Sequence, residues 1–331
     1  MRSAGPASTV VRGGPYPVVG LDLGGTKIAA ALVAPGGRVE ARFSCPTPAA
    51  EGPDAVLDAL AHAVAAVQDG STAGAVGVAA AGVVDPETGV VRSATRTLAG
   101  WSGTRLAARL AARTGLPVAC DNDVRAAAGA ESAAAGADRG SLLYLSVGTG
   151  VGGAVVADGH MVRGRAGIAG HLGHLPSPEA AGLPCSCGAR GHLEAIASGP
   201  GIAALYARLA GVAPPPALEA VARLAEEGDQ HAAEAIAHGA AAAGRALGGL
   251  ANALGPDRVV VGGGVTATGD RYWVPLRAAF AAELIEPLRS SQTSHALVPR
   301  PPRAGRDAPV LGAAALTTTV PLHAPHTGGA R

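Results

Sequence analysis

The chain has 331 residues, long for a single core, and by length it reads as about two domains. Hydrophobic residues make up 48% of it, aromatics only 2%, and the formal net charge is +1, which suits a globular enzyme cored by Ala, Val and Leu and leaves no basic excess for nucleic acid. No segment offers the roughly 18 apolar residues of a membrane span, and the first 17 residues hold no apolar signal-peptide stretch, so the expectation is a cytoplasmic protein without nucleic-acid or membrane partners.

The elements follow in chain order. Val18 to Leu23 reads as a strand that breaks at Gly24-Gly25 and resumes from Ile28 to Val33, a hairpin, and Val39 to Phe43 follows the Pro35-Gly36-Gly37 turn. Pro53 to Gln68 reads as a helix with Val56, Leu60, Val64 and Val67 on one stripe. Val76 to Ala80 is a buried strand, Asp85-Pro86 a turn, Thr104 to Arg113 a helix, and Pro117 to Cys120 a short strand ending at Asp121-Asn122-Asp123, where a helix to Ala135 starts. The opening pattern then returns as Leu142 to Val147, a glycine turn and Ala154 to Ala157, a weak internal repeat. A loop rich in Gly, His and Cys, alanine-rich helices between 199 and 253, the strand Val259 to Val261 and a helix near Leu311 to Leu316 complete the chain. This order predicts an α/β protein of two lobes with a cleft between them, and the stretch beyond Thr317 reads as a disordered tail.

Three groups carry the chemistry. In Gly20-Leu21-Asp22-Leu23-Gly24-Gly25-Thr26-Lys27 the paired glycines at a hairpin tip leave backbone N–H groups open to a phosphate, Thr26 adds a hydroxyl, and Asp22 can hold Mg²⁺ through water. Gly148-Thr149-Gly150-Val151-Gly152-Gly153 matches the letters of a dinucleotide fingerprint, but it runs into a strand rather than a helix, so it reads as a second jaw for the same polyphosphate. Gly262-Gly263-Gly264 would let an adenosine lie against bare backbone. Asn122-Asp123 supplies a carboxylate to take the proton of an attacking hydroxyl, with ATP as the phosphoryl donor, although Asp121, Asn122 or Asp123 could equally be the N-cap of the following helix. Cys45 and Cys120 stand alone, whereas Cys185 and Cys187, with His174 before them and His192 after, make a donor set that suits a closed structural Zn²⁺ site better than a disulfide.

In this order, from Val18 to Leu316, the motifs resemble the ROK group of actin-like sugar kinases. The resemblance implies a two-lobed actin-like (ribonuclease H-like) fold: a smaller lobe over 18–135 joined by the helix near 311–317, a larger lobe over 136–310 carrying a zinc loop at 171–194, a flexible segment over 1–17 and a tail over 318–331. It further implies that Asp123 is the catalytic base, that Asn122 and Glu194 hold sugar hydroxyls, that His174 touches both sugar and zinc, and that the protein is a homodimer. Three positions depart from the family pattern. His192 stands where the family has its third zinc cysteine, Thr97 opens the Thr97-Leu98-Ala99-Gly100-Trp101 loop in place of Asn, and His171 replaces the glutamate of family glucokinases. Ala169-Gly170-His171 and Glu194 to Gly199 are instead similar to the family's bacterial N-acetylmannosamine kinases. An imidazole there could donate to a carbonyl at C2, as a carboxylate cannot. The expected reaction is phosphorylation of the 6-hydroxyl of N-acetylmannosamine, with glucose as the alternative acceptor. A family repressor would need a helix-turn-helix domain ahead of Val18, and a sensor without catalysis would not need Asp123 and both phosphate motifs.

Overall fold

The computed structural model describes residues 16–68, 70–94, 98–136, 140–289, 297–303, 305 and 307–325. Residues 1–15, 326–331 and Thr97, on which sequence expectations fell, lie outside them. In chain order the elements are β1 (Val18–Leu23), β2 (Lys27–Val33), β3 (Val39–Pro46), α1 (Pro53–Gln68), β4 (Ala75–Ala80), β5 (Val83–Asp85), β6 (Val90–Ser93), α2 (Leu106–Thr114), β7 (Val118–Asn122) and α3 (Asp123–Ala134). Then come β8 (Leu142–Val147), β9 (Val151–Ala157), β10 (His160–Met161), α4 (Glu194–Ala197), α5 (Gly199–Ala210), α6 (Leu218–Glu226), α7 (Gln230–Leu254), β11 (Arg258–Gly262), α8 (Asp270–Glu283), α9 (Glu286–Arg289) and α10 (Ala308–Thr319).

The chain divides into two units, one formed by the described residues up to 136 with 163–169 and 303–325, the other by 140–162 and the described residues of 170–302. In the first unit the sheet order is β3-β2-β1-β4-β7, with β1 antiparallel to β2 and parallel to β4, and β4 parallel to β7. The α1 stripe expected from the sequence is buried, Val56, Leu60, Val64 and Val67 each being at most 2% exposed, and each such side chain contributes roughly 1.5–3 kcal/mol. The second unit repeats the device in the order β10-β9-β8-β11, with β8 antiparallel to β9 and parallel to β11, and packs the alanine-rich helices into its own core. No helix among the described residues is long and apolar enough to cross a membrane.

Several sequence expectations are corrected. Residues 163–169 and 303–310 were expected in the second lobe but cluster with the first unit, because Arg163 and the carbonyls of Gly167 and Ala169 bond to Asp121 and Arg125, and Arg303 donates its backbone N–H to Glu131. The tail is ordered further than expected: Thr318 and Thr319 finish α10, Val320 is buried, and His323 exchanges backbone hydrogen bonds with Val118. Pro17 is also anchored, accepting from the N–H of Gly74. The Asp85-Pro86 turn proves to be the tip of the β5–β6 hairpin. Helix α8 escaped notice because Pro275 lies inside it; its Tyr272, Leu276 and Phe280, four residues apart, are buried.

Helix α10 fixes the first sheet by backbone contact. A Cβ on Gly20 would lie 2.0 Å from Val310 O, one on Gly77 1.8 Å from Ala313 O, and one on Gly312 2.2 Å from Ala126 O. Glycines at these three points let α10 lie directly on β1, β4 and α3, which brings Pro309 and Val310 to the end of β1. Gly77→Ala is therefore expected to destabilise the protein by about 3 kcal/mol or to prevent folding, since the obstructing atoms are backbone. Gly129→Ala in α3, where a Cβ meets nothing within 4 Å, should instead gain about 0.5–1 kcal/mol. Urea titration of the two variants checks the contrast.

Candidate functional site

The parallel strands β1, β4 and β7 end together, Leu23 pairing with Ala80 and Ala80 with Asn122, so the first glycine motif and the Asn-Asp pair share one end of the sheet, the carboxyl end where α/β sheets bind ligands. The first hairpin is closed by Gly24 N–H donating to Lys27 O at 3.0 Å. It is held by Thr47, the residue after β3, whose hydroxyl donates to Gly24 O at 2.8 Å and whose N–H donates to Thr26 O at 3.0 Å. A cavity of about 290 Å³ opens there, lined by Asp22, Gly24, Thr26, Lys27, Pro309 and Val310 among others. Gly25 lies at the tip, and Thr26 and Lys27 are exposed. Burial, and then the Asp123 carboxylate, push Asp22 up to about 6, with Lys27 opposing.

The choice of N-cap is resolved in favour of Asn122, whose Oδ1 accepts from Val124 N at 3.0 Å and Arg125 N at 3.1 Å. Its Nδ2 donates to Gly82 O at 2.9 Å and to Asp123 Oδ1 at 2.8 Å. Both donors and both lone pairs of this amide are thus engaged in holding the turn and the Asp123 carboxylate. Asp123 is the first residue of α3; burial raises its pKa, while backbone N–H groups, the Asn122 amide and the Arg125 charge hold it down.

In the second unit, the Gly148–Gly153 motif forms the turn between β8 and β9 and runs on as strand, as the sequence argued against a dinucleotide fold. Gly148 donates to Gly150 O at 2.9 Å and accepts from Gly199 N at 2.8 Å; Thr149 is exposed, Gly152 is half-buried in β9, and a Cβ on Gly153 would strike Leu172 at 2.3 Å. The three consecutive glycines divide by role. Gly262 and Gly263 are packed, a Cβ on the first falling 2.8 Å from the Tyr144 hydroxyl and on the second 2.2 Å from Val147 O, whereas Gly264 faces open space. Glu194, expected to hold a sugar hydroxyl, accepts from Val151 N at 3.0 Å and from the Ser186 hydroxyl, so its carboxylate links the second hairpin to the cysteine loop.

His174, Cys185, Cys187 and His192 come together with one potential ligand atom each, all within 4.8 Å of one another. Cys185 Sγ lies 3.6 Å from His174 Nδ1 and Cys187 Sγ 3.3 Å from His192 Nδ1, separations that suit neighbouring ligands of a tetrahedral ion. The loop achieves this with a tight hairpin in which Cys185 N–H donates to Ala189 O and Gly191 N–H to Leu183 O, with Gly188 at φ +92°. Burial, with Cys187 and Glu194 adding, pushes the Cys185 thiol up, and burial keeps His174 below the usual imidazole range; a bound dication would favour the thiolates and neutral imidazoles that it needs. The His171 ring stacks on His174, centroids 6.3 Å apart and planes 8° from parallel.

Sequence reasoning missed Asp121 as more than a cap, and missed Arg125, Arg163 and Ser186 altogether. The available signal was an Asp and an Arg four apart, with the Arg in a helix otherwise rich in Ala.

Two predictions follow from this geometry. Asp22 binds its proton more tightly folded than unfolded, so its contribution to stability is complete below 3.8 and is lost as pH rises through about 6. Asp22→Asn should therefore stabilise the metal-free protein at pH 7.5 by up to about 3 kcal/mol, and the gain should vanish near pH 3.5 in denaturant titrations. Purified protein should carry one Zn²⁺ per chain by elemental analysis, Cys185→Ser should lose it together with thermal stability, and His192→Cys should keep it.

Comparison with known proteins accords with this geometry. The model of the ROK family matches residues 18–320. An N-acetylmannosamine kinase of Citrobacter koseri is 38% identical over 80% of this chain and 88% of its own length. Among solved structures, a ROK hexokinase from Thermus thermophilus aligns with a TM-score of 0.77 and 36% identity, over 91% of this chain and 97% of its own. A ROK glucokinase from Streptomyces griseus, solved in complex with glucose and AMPPNP, aligns with a TM-score of 0.74 and 32% identity, over 91% and 98%.

Proposed function

Since the chain belongs to the ROK family and is an ATP-dependent carbohydrate kinase, we propose that its acceptor is N-acetylmannosamine, phosphorylated at the 6-hydroxyl. Asp123 takes the proton from that hydroxyl as its oxygen attacks the γ-phosphorus of ATP and the bond to the β–γ bridging oxygen breaks, leaving ADP. Burial holds the carboxylate's proton affinity above that of an exposed aspartate, which suits a base, while backbone N–H groups, the Asn122 amide and the charge of Arg125 oppose that rise. The tip N–H groups of each hairpin, those of Gly25 and Thr26 in the first unit and of Thr149 and Gly150 in the second, suit phosphate oxygens, and the open face of Gly264 suits the nucleoside. Asp22 and the neighbouring Thr26 hydroxyl suit a Mg²⁺ ion, which neutralises phosphate charge when bound. His174, Cys185, Cys187 and His192 suit a Zn²⁺ ion, which holds the loop carrying His174 and Glu194 in shape.

The observation that carries the choice of sugar is His171. Its ring, stacked parallel on His174, offers an N–H donor to an acetamido carbonyl and lacks the negative charge that would favour a free hydroxyl at C2. The similarity to the Citrobacter koseri enzyme supports the same reading, while the similarity to glucokinases makes glucose the competing acceptor. ADP release measured side by side with N-acetylmannosamine, glucose, N-acetylglucosamine, mannose and fructose should give N-acetylmannosamine the highest kcat/KM. His171→Glu should lower that value by about 10- to 100-fold while sparing glucose. A wild-type preference for glucose would replace this reading by the glucokinase one.

A further inference from the structure

Arg125 is 2% exposed, and each of its side-chain nitrogens makes a hydrogen bond inside the first unit. Nε donates to Asp121 Oδ1 at 2.7 Å, Nη2 lies 2.6 Å from the same oxygen and donates to Val84 O at 3.0 Å, and Nη1 donates to Gly167 O at 2.7 Å and Ala169 O at 3.2 Å. Asp121, 0% exposed, also accepts from Asn122 N at 2.7 Å and, on its other oxygen, from Arg163 Nε at 2.9 Å.

Two structural features meet at this guanidinium. One is the Asn122-Asp123 turn, whose backbone is pinned through Asp121. The other is the segment 163–169, which clusters with the first unit although the chain before and after it belongs to the second. That segment is a closed loop, with Ala169 N–H donating to Arg163 O at 3.0 Å and Ala166 at φ 53°. Gly167 lies so close to β5 that a Cβ on it would fall 2.5 Å from Val84 O. A backbone held in such a shape needs surroundings that over-determine it, and Arg125 supplies three of its bonds to carbonyls there and on β5. The chain runs from Ala169 directly through Gly170 into His171.

We propose that Arg125 is a positioning residue that sets the Asp123 carboxylate and the segment leading into His171 from one buried anchor. It touches neither substrate. Its planar fork reaches Asp121, β5 and the 163–169 carbonyls together, which a lysine ammonium at one point cannot do. A buried carboxylate with a single helical partner would fix the turn alone; the added carbonyl bonds tie the turn to the 163–169 segment, so the turn carrying the base and that segment share one anchor within the first unit.

The inference rests on the reading of Asp123 as the base, and the test separates the two. The full-length enzyme and its Arg125→Lys, Arg163→Met and Asp123→Asn variants are compared with ATP and whichever sugar the wild type turns over fastest, with thermal melts as the measure of folding. Arg125→Lys is expected to stay folded, lose about 10- to 100-fold in kcat and raise the sugar KM, with the ATP KM unchanged. Arg163→Met, which removes only the outer partner of Asp121, should move the same parameters the same way by about threefold. If Arg125→Lys does not fold, Arg163→Met decides. Folded variants with kcat and sugar KM within about twofold of wild type, or an ATP KM that rises as much as the sugar KM, overturn the positioning role. Should Asp123→Asn also keep wild-type turnover, the base assignment is what failed; should it be inactive beside fully active Arg125→Lys and Arg163→Met, only the positioning role falls.

Discussion

The Asp121 carboxylate, removed from solvent at the end of β7, the last strand of the first sheet, is the point from which the first unit is organised. Burying it costs several kcal/mol of lost hydration, and two arginines, one of them equally buried, offset that cost only because their geometry leaves no polar atom of the pair idle. Losing one partner of such a pair typically costs about 3–5 kcal/mol, far more than an exposed ion pair contributes. Removing the anchor would do more than weaken the sheet. The Asn122 amide is fully engaged above it, and Asp123 takes its orientation from that amide and from the first turn of α3. The cluster of Ala79, Ala119, Ala126, Ala313, Leu316 and Val320 has few large side chains with which to fix a turn by shape, and an ionic anchor with directional bonds does this instead.

The same small device is used twice, once in each unit. An antiparallel hairpin with a glycine tip lies beside a parallel strand, β1-β2 beside β4 in one unit and β8-β9 beside β11 in the other. The two copies differ in what they add. The first has Asn122-Asp123 at the end of its next strand and α10 set flush against its backbone. The second has the Glu194 carboxylate against its hairpin and the Cys/His loop behind that carboxylate. Glu194 therefore makes the shape of the second hairpin depend on the shape of the cysteine loop, a link that a metal ion at His174, Cys185, Cys187 and His192 would stiffen.

Much of this was legible in the sequence. Strands with strong β-branched runs and the α1 stripe appear where periodicity put them, and the donor set of the Cys/His cluster was readable because ligand chemistry restricts the residue types. Less legible were features set by contacts distant in sequence. The membership of 163–169 in the first unit depends on bonds to Asp121 and Arg125, some forty residues away, and nothing local in Gly164 to Ala169 signals it. Helix α8 was masked by Pro275, whose local preference was overridden by burial of Tyr272, Leu276 and Phe280. Gly262 and Gly263 read as open backbone, yet neighbouring Tyr144 and Val147 fill the space beside them, which only the packed structure reveals.

Two of the departures from the family pattern are histidines that bear on chemistry. His192 supplies a nitrogen donor to the Cys/His cluster where the resemblance implies a cysteine, and His171 offers an N–H donor where the family's glucokinases are expected to carry a carboxylate. The second exchange bears on the acceptor directly, because a buried hydrogen-bonding site discriminates most strongly against a ligand that leaves its donor unpaired. Internal competition tests it with least dependence on assay conditions: equimolar N-acetylmannosamine and glucose are incubated with limiting ATP, and the two sugar phosphates are separated and quantified by mass spectrometry. N-acetylmannosamine 6-phosphate in large excess is the predicted result, and glucose 6-phosphate as the main product would contradict it.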